Sequence, residues 1–257
     1  RIDIMIIGKI FPASTLGFYT RAVGFYNLII RYSSSSISQV FFPVISKMQD
    51  DIDGIKTLII KGFHAIGFTI FFLLFIFHLT ADEFIVILLS DKWLQSTEYF
   101  KILLLSAFSY PLSATMMNVL TGLGNSKVYF RIELVKKLML LVTYLVGFQF
   151  GIIEFLYGLI INRTIATFIN IYYGGREINL SNFQIIRTIL NYVIFGLIAY
   201  YISYYSFIYL LESADLYTSF IYKAGIFVLV YIGFNFVFRQ QGLIMLIDTI
   251  KKLRKKL

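Results

Sequence analysis

Four basic residues lie inside apolar segments of the chain, where charged side chains are rare. They are Arg21, Arg31, Lys101 and Arg163. An arginine near the centre of a bilayer costs at least about 2.5–3.5 kcal/mol, so it should face protein or water rather than lipid. Guanidinium and ammonium groups bind anions, and the planar fork of a guanidinium suits phosphate and pyrophosphate particularly well. The chemistry predicted from these residues is the binding of an anion inside a membrane.

The depth of these residues divides them into two pairs. Arg31 and Arg163 lie more than ten residues from the outer ends of their segments, too deep to reach the headgroups comfortably. Arg21 and Lys101 lie about six or seven residues from the outer ends, so they either snorkel to the headgroups or join the deeper pair. An ion pair between Arg31 and Asp3 is the structural alternative. Because one carboxylate cannot pair with four cations, we expect a water-filled cavity that binds an anion.

Composition indicates that these residues are positioned by transmembrane helices. The chain is 58% hydrophobic and 14% charged, whereas a soluble domain is about a quarter charged. Apolar runs of about 20 residues between short polar clusters predict an all-α, polytopic transmembrane bundle of about eight helices. The predicted helices span about residues 2–11, 16–43, 57–79, 94–121, 127–150, 151–173, 183–211 and 217–238.

The first predicted helix is shorter than the others. It supplies only about ten residues, which is half of a hydrocarbon core. Since the chain also begins with Arg1, we expect it to be the C-terminal part of a longer protein that is cut inside a helix.

Basic residues alternate between the two sides of the predicted bundle. One set of turns carries Lys9 and Lys92, and the last turn of this set carries Glu212 and Asp215. The positive-inside rule therefore places the other set of turns and the C-terminus in the cytoplasm. The amphipathic tail, residues 239–257, is expected to lie on the anionic inner leaflet. The basic turns contain Lys47, Lys56, Lys61, Lys127, Arg131, Lys136, Lys137, Arg176 and Arg187.

Several classes of function are disfavoured by the same features. The chain has no cysteine, so neither a disulfide framework nor a thiolate metal site is predicted, and no cofactor is expected. The net charge of +9 lies mostly in the turns and the tail, which favours membrane topology over nucleic acid as its cause. The predicted loops are at most about 15 residues long, too short for a catalytic domain, so we do not expect an enzyme.

Four stretches of the sequence resemble a known family. The resemblance is carried by RIDIMIIGKIFPASTLGFYTRA, ISQVFFPVISKMQDD, LLSDKWLQSTEYFKILLLSAF and NVLTGLGNSKVYFRIELVKK. These stretches are similar to helices and turns of the polysaccharide and lipid-linked oligosaccharide flippases, the Wzx-like branch of the MATE-like exporter superfamily. The resemblance extends over residues 1–175 and is less distinctive beyond them.

The resemblance implies a protein of two six-helix lobes around a central cavity, of which this chain holds the second. Residues 1–175 would form that lobe, 176–238 two additional transmembrane helices, and 239–257 the basic tail. Such proteins move undecaprenyl-pyrophosphate-linked saccharide units across the bacterial inner membrane by alternating access, for O-antigen, lipopolysaccharide, capsule or exopolysaccharide synthesis. The implied partners are the anionic lipid-linked oligosaccharide, membrane lipids and glycan assembly enzymes. Depth and charge, not the resemblance, select the four cations as the cavity lining.

Four alternatives remain open from the sequence. A flippase for a peptidoglycan lipid precursor would use the same fold and the same anion chemistry. A MATE-type drug/cation antiporter would need buried carboxylates, whereas the predicted cavity is cationic. A membrane polymerase or ligase of the same pathway would need a large outer loop that the sequence lacks. A scaffold without transport activity would need none of these features.

Overall fold

The structure is a computed structural model that describes the backbone of residues 2–211 and 213–254. Side chains are described for residues 3–31, 41–211 and 213–252. The predicted all-α bundle is confirmed, because the described residues form helices joined by short turns and contain no strand. The α-helices are α1 (Ile2–Ile10), α2 (Ala13–Lys47), α3 (Ile52–Leu79), α4 (Ala81–Leu89), α5 (Gln95–Leu104), α6 (Ser109–Gly122), α7 (Ser126–Phe150), α8 (Ile152–Glu177), α9 (Asn182–Leu211), α10 (Leu216–Val237) and α11 (Gln241–Arg254).

Two aspartates begin long helices by capping free N–H groups. Asp51 accepts a hydrogen bond from the N–H of Gly54 at the start of α3, at 2.8 Å. Asp215 accepts bonds from the N–H groups of Tyr217 and Thr218 at the start of α10, at 3.1 and 3.3 Å. The Thr218 hydroxyl also donates to Asp215, and this bond holds the pKa of the Asp215 carboxyl below its usual range. Such caps stabilise a helix by about 0.5–2 kcal/mol.

Within the part of the chain that the structure describes, five stretches are long and apolar enough to cross a membrane, judged by length and composition. The described parts of α2 and α7 are not among them, and both contain charged residues. The first 13 residues of α7 include five charged ones, and α2 contains Arg21 and Arg31. The cavity described below is lined partly by these two helices. The five apolar stretches are Ile52–Leu79, Gln95–Gly122, Ile152–Glu177, Asn182–Leu211 and Leu216–Val237.

One predicted helix is divided in two. The segment predicted as a continuous helix over 94–121 leaves the α-helical conformation after Leu104 and resumes it at Ser109. Between these residues, the N–H groups of Leu105, Ser106 and Ala107 bond to carbonyl oxygens three residues earlier, at 2.8–3.1 Å. Bonds of this spacing form a tighter turn than the α-helix. The break contains Ser106, which accepts a hydrogen bond from Arg163 of the cavity described below.

Two further boundaries differ from the sequence prediction. Helix α2 continues to Lys47, past the predicted end at Pro43, since a proline in the last turns of a helix removes only one backbone bond. Helix α4, Ala81–Leu89, was missed because its nine residues extend only about 13 Å and cannot cross a bilayer. The second difference matters for the description of the site, because α4 supplies carboxylates to two lysines.

At one end of the bundle, hydrogen bonds tie three turns together. These turns, between α2 and α3, α6 and α7, and α8 and α9, all belong to the set predicted to be cytoplasmic. Their meeting at one end agrees with the predicted alternation of the helices. The bonds run from Gln49 Nε2 to the Gly122 carbonyl at 2.6 Å, from Lys56 Nζ to the Asn179 carbonyl at 2.8 Å, and from Asn125 Nδ2 to Glu177 Oε2 at 2.6 Å.

The two helices beyond the predicted lobe pack against α3 and each other. The Tyr231 hydroxyl of α10 donates to the carbonyl of Phe68 in α3 at 2.9 Å. Helix α9 approaches α3 closely at Gly67, where an added Cβ would lie 2.8 Å from the Tyr192 ring. The division of the chain at residue 175 into a lobe and two extra helices stays a prediction.

Candidate functional site

A cavity of about 520 Å³ lies between α2, α6, α7 and α8. Two of the four predicted cations, Arg31 and Arg163, line this cavity together. A third cation, Lys136, lines it as well, although the sequence analysis placed Lys136 in a cytoplasmic turn. The polar residues of the lining include Ser109, Thr167 and Asn170.

Arg163 is held in the cavity by uncharged partners. Its guanidinium donates to the Ser106 hydroxyl at 3.0 Å and lies 5.0 Å from the centre of the Tyr26 ring. Ser106 lies in the break between α5 and α6, so the break provides an acceptor at the level of Arg163. Neither partner carries a negative charge, and a guanidinium has five N–H donors. Most of these donors therefore remain available to a ligand.

Arg31 lines the same cavity from α2. It lies five residues beyond Tyr26 on that helix, which corresponds to about 7.5 Å along the axis. The predicted alternative, an ion pair with Asp3, is not formed, because Asp3 accepts the Tyr19 hydroxyl at 2.6 Å instead. Among the side chains that the structure describes, neither Arg31 nor Arg163 forms an ion pair with a carboxylate.

Lys136 differs from the two arginines in having an acidic partner. It forms an ion pair with Glu133, one turn earlier on α7. The Lys136 side chain is 15% exposed and that of Glu133 29% exposed. Lys136 lies ten residues into α7, about 15 Å from its start. Counting residues from the start of α7 would have shown that Lys136 lies well inside the helix rather than in a turn.

Two buried polar atoms of the lining lack a protein partner. Ser109 Oγ and Asn170 Oδ1 are inaccessible and form no hydrogen bond with any residue that the structure describes. Buried polar groups are normally satisfied, and each one left unmade costs about 1–3 kcal/mol. Both residues belong to the lining of the cavity.

The other two predicted cations lie outside this cavity. The Arg21 guanidinium lies 5.1 Å from the centre of the Trp93 ring. Lys101 donates to Asp82 of α4 at 2.6 Å, and the two side chains are 31% and 52% exposed. Their positions resemble the predicted alternative of snorkelling side chains near the outer headgroups. Their role in substrate binding stays a prediction and is not included in the proposals below.

The sequence analysis also missed a cation inside α10. Lys223 forms a buried ion pair with Glu83 of α4 at 2.5 Å, and the two side chains are 13% and 8% exposed. The Lys223 amine also lies 4.4 Å from the centre of the Phe207 ring. Because Lys223 has a carboxylate of its own, it is positioned as a structural residue.

A second groove lies between α7 and α8 and has a different character. Its volume is about 630 Å³, and apart from Glu154 its lining is uncharged. Most of its side chains are apolar, among them Val142, Val146, Ile161 and Ile165. Its only charge is negative, so it does not suit an anion. The described residues contain no group of three or more His, Asp or Glu that could hold a metal ion.

Comparison with known proteins supports the resemblance to flippases. Residues 1–98 match a family model described as "Polysaccharide biosynthesis protein". The fold is similar to that of the lipid II flippase MurJ in an inward closed conformation, with a TM-score of 0.72 and 16% sequence identity. The match covers 87% of this chain and 47% of that flippase, so the chain spans about half of its length. No curated protein sequence matches the chain.

Proposed function

We propose that this chain forms an anion-binding lobe of a flippase for lipid-linked saccharides in the bacterial inner membrane. The substrate would be a saccharide unit joined to a polyprenyl carrier through pyrophosphate and moved by alternating access. One observation carries the proposal. Arg31 and Arg163 line the same cavity, and neither forms an ion pair with a described carboxylate.

The physical argument starts from the cost of moving the substrate. Its pyrophosphate group is charged and must cross a hydrocarbon core about 30 Å thick. Two guanidinium groups in a wet cavity offset that cost, because each presents several donors to a phosphate oxygen. The polyprenyl chain is apolar and can remain in lipid. No covalent chemistry is required of the protein.

The cavity also has features that suit release. The guanidinium of Arg163 is already satisfied in part by Ser106 and Tyr26, so it gives up these contacts when it binds a phosphate. A transport site must bind its substrate strongly enough to admit it and weakly enough to release it. Partial satisfaction by uncharged groups meets both conditions.

The cavity disfavours a drug/cation antiporter on the same fold. Such a transporter needs carboxylates to bind an organic cation in low dielectric. The cavity lining contains three cations and no acidic side chain. The sequence analysis disfavoured an antiporter for the same reason, the cationic character of the predicted cavity.

The test is an export assay with alanine variants. Arg31→Ala and Arg163→Ala should each reduce export of surface polysaccharide by about tenfold or more, because a hydrogen bond to a charged group contributes about 1.5–3 kcal/mol. Lysine at either position should give intermediate export, since it keeps the charge and loses the fork. Lys137→Ala, which removes an exposed cation from α7, is the control. Normal export by both arginine variants, at normal membrane levels, would refute the proposal.

A second candidate is a flippase for a peptidoglycan lipid precursor. The fold similarity to a lipid II flippase favours it, and its substrate has the same pyrophosphate chemistry. Depletion of the protein distinguishes the two candidates. Loss of surface polysaccharide with normal growth supports the first, whereas lysis with accumulation of the peptidoglycan precursor supports the second.

The C-terminal helix is proposed to lie at the cytoplasmic side and to bind anionic lipid. The N–H of Gly242 donates to the Tyr192 hydroxyl at 3.0 Å, and an added Cβ at Gly242 would lie 2.5 Å from the His64 carbonyl oxygen. The start of α11 is therefore fixed against α3 and α9. Its far end carries Lys251 and Lys252, both exposed, and each basic residue near an anionic surface contributes about 1 kcal/mol.

A further inference from the structure

We infer that Lys136 is a third phosphate-binding residue of the cavity and that Glu133 is the counter-ion that the substrate displaces from it. This inference rests on the proposed function, because it concerns the same cavity and the same pyrophosphate group. It assigns a role to two residues that neither depth nor resemblance identified.

The position of Lys136 is the first part of the argument. Lys136 lines the cavity that Arg31 and Arg163 line, whereas Glu133 does not. Lys136 is therefore the member of the ion pair that an anion in the cavity meets.

The strength of the ion pair is the second part. Lys136 and Glu133 are neighbours on α7, and their side chains are 15% and 29% exposed. A pair of this spacing on one helix contributes little to stability. A phosphate in the cavity is a stronger acceptor, because it also receives donors from the two arginines. The exchange of Glu133 for phosphate is therefore favourable when substrate is present.

The charges in the cavity are the third part. With the ion pair formed, the cavity exposes the two arginines, each without a carboxylate among the described side chains, and a neutralised Lys136. When Lys136 turns to the substrate, a third cation is added for the second phosphate. When the substrate leaves, Glu133 pairs with Lys136 again. This pairing lowers the affinity of the cavity for the departing phosphate. The pair thus favours a diphosphate over a monophosphate and assists release.

The flexibility of lysine makes this exchange physically reasonable. Lysine carries a compact charge on a four-carbon stem with freely rotating donors, whereas the arginine fork binds in a fixed plane. Lys136 can therefore change partner through side-chain rotation without movement of α7. In contrast, Arg163 already contacts the Ser106 hydroxyl and the Tyr26 ring, and neither partner is charged.

The experiment measures binding of undecaprenyl diphosphate and undecaprenyl monophosphate to the full-length protein in nanodiscs. Lys136→Met should weaken diphosphate binding by about tenfold or more, the loss of one charged hydrogen bond, and should reduce the preference over monophosphate. Glu133→Gln should tighten diphosphate binding by about twofold to fivefold, because the competing ion pair is gone. The double variant should behave like Lys136→Met alone. Lys137→Met, next in sequence and exposed on α7, is the matched control.

The outcomes separate this inference from the proposed function. If Lys136→Met binds diphosphate like Lys137→Met while Arg163→Ala still weakens binding, the inference is wrong and the proposed function stands. If Arg31→Ala and Arg163→Ala also bind normally, the proposed function fails as well. A loss of affinity in Glu133→Gln, or a gain that persists without Lys136, would refute the role of Glu133 as a displaced counter-ion. Thermal unfolding of each variant identifies any that fail to fold.

Discussion

Two regions of the bundle hold basic residues in different ways. At the end predicted to be outer, Lys223 and Lys101 each have a carboxylate from α4, at 2.5 and 2.6 Å. In the cavity, Arg163 contacts a hydroxyl and an aromatic ring, and Arg31 has no acidic partner among the described side chains. A cation with its own carboxylate contributes to the fold, whereas a cation without one remains able to bind an anion.

This contrast identifies a local cause for each arrangement. Helix α4 is too short to cross a membrane, so its carboxylates Asp82 and Glu83 meet the lysines of longer helices near one end of the bundle. No described acidic side chain lines the cavity. Arg31 is exposed and Arg163 is half-buried, so an anion that enters the cavity can reach both guanidinium groups.

The largest effect is expected when the buried pair at α10 is broken. Glu83→Ala should lower the free energy of unfolding by about 3–5 kcal/mol, because it leaves the Lys223 amine buried without its carboxylate. Unfolding in mixed micelles measures the change. The double variant Glu83→Gln with Lys223→Met should recover most of the loss, since replacement of both charges avoids the unpaired ion. A single variant as stable as the unmodified protein would contradict a structural role for the pair.

The opposite behaviour is expected of Arg163. Arg163→Met removes a half-buried cation and leaves no carboxylate unpaired, and Ser106 keeps its own bond to the Leu103 carbonyl at 2.9 Å. Stability should change by no more than about 1 kcal/mol, whereas binding of undecaprenyl diphosphate should weaken by about tenfold to a hundredfold. Binding and mixed-micelle unfolding of the same preparation give both values. A large loss of stability with unchanged binding would show that Arg163, like Lys223, stabilises the fold and does not bind substrate.

The smallest effect is expected at the exposed pair. Lys101→Met or Asp82→Asn should lower the free energy of unfolding by about 0.2–1 kcal/mol, because an exposed ion pair is screened by solvent. Export should be unchanged, since neither residue lines the cavity. Addition of salt should reduce even this small difference in stability. A strong export defect in Lys101→Met would support the sequence prediction that Lys101 binds substrate.

Most of the helices could be predicted, because apolar length follows from spacing along the sequence, and the depth of the central cations stays a prediction. Apolar length gives the spans, and a rise of 1.5 Å per residue gives depth. Arg31 and Arg163 were placed near the midplane in this way, and the structure brings them into one cavity. The break beside Ser106 was not predicted, although Pro111 follows it in the first turn of α6 and cannot donate to the Ala107 carbonyl.

The partners of the other cations could not be predicted, because they depend on which way each helix faces. Lys101 was taken as a cavity residue since α4, which supplies Asp82, is too short to be recognised as a span. Lys136 was assigned to a cytoplasmic turn because it follows a run of charges, although α7 begins ten residues earlier. Lys223, alone in an apolar run, was overlooked. The surroundings of these lysines are set by contacts between helices that are distant in the sequence.

The hydrogen bonds between the three turns at the predicted cytoplasmic end have a consequence for motion. They brace α2, α6 and α8 against one another, so these helices cannot slide apart there one at a time. In the proposed flippase, the lobe should therefore rotate as a rigid body while substrate passes. Spin labels on the turns at either end of α3 and α8 should keep constant separations in every transport state, and the large displacements should occur relative to the rest of the transporter.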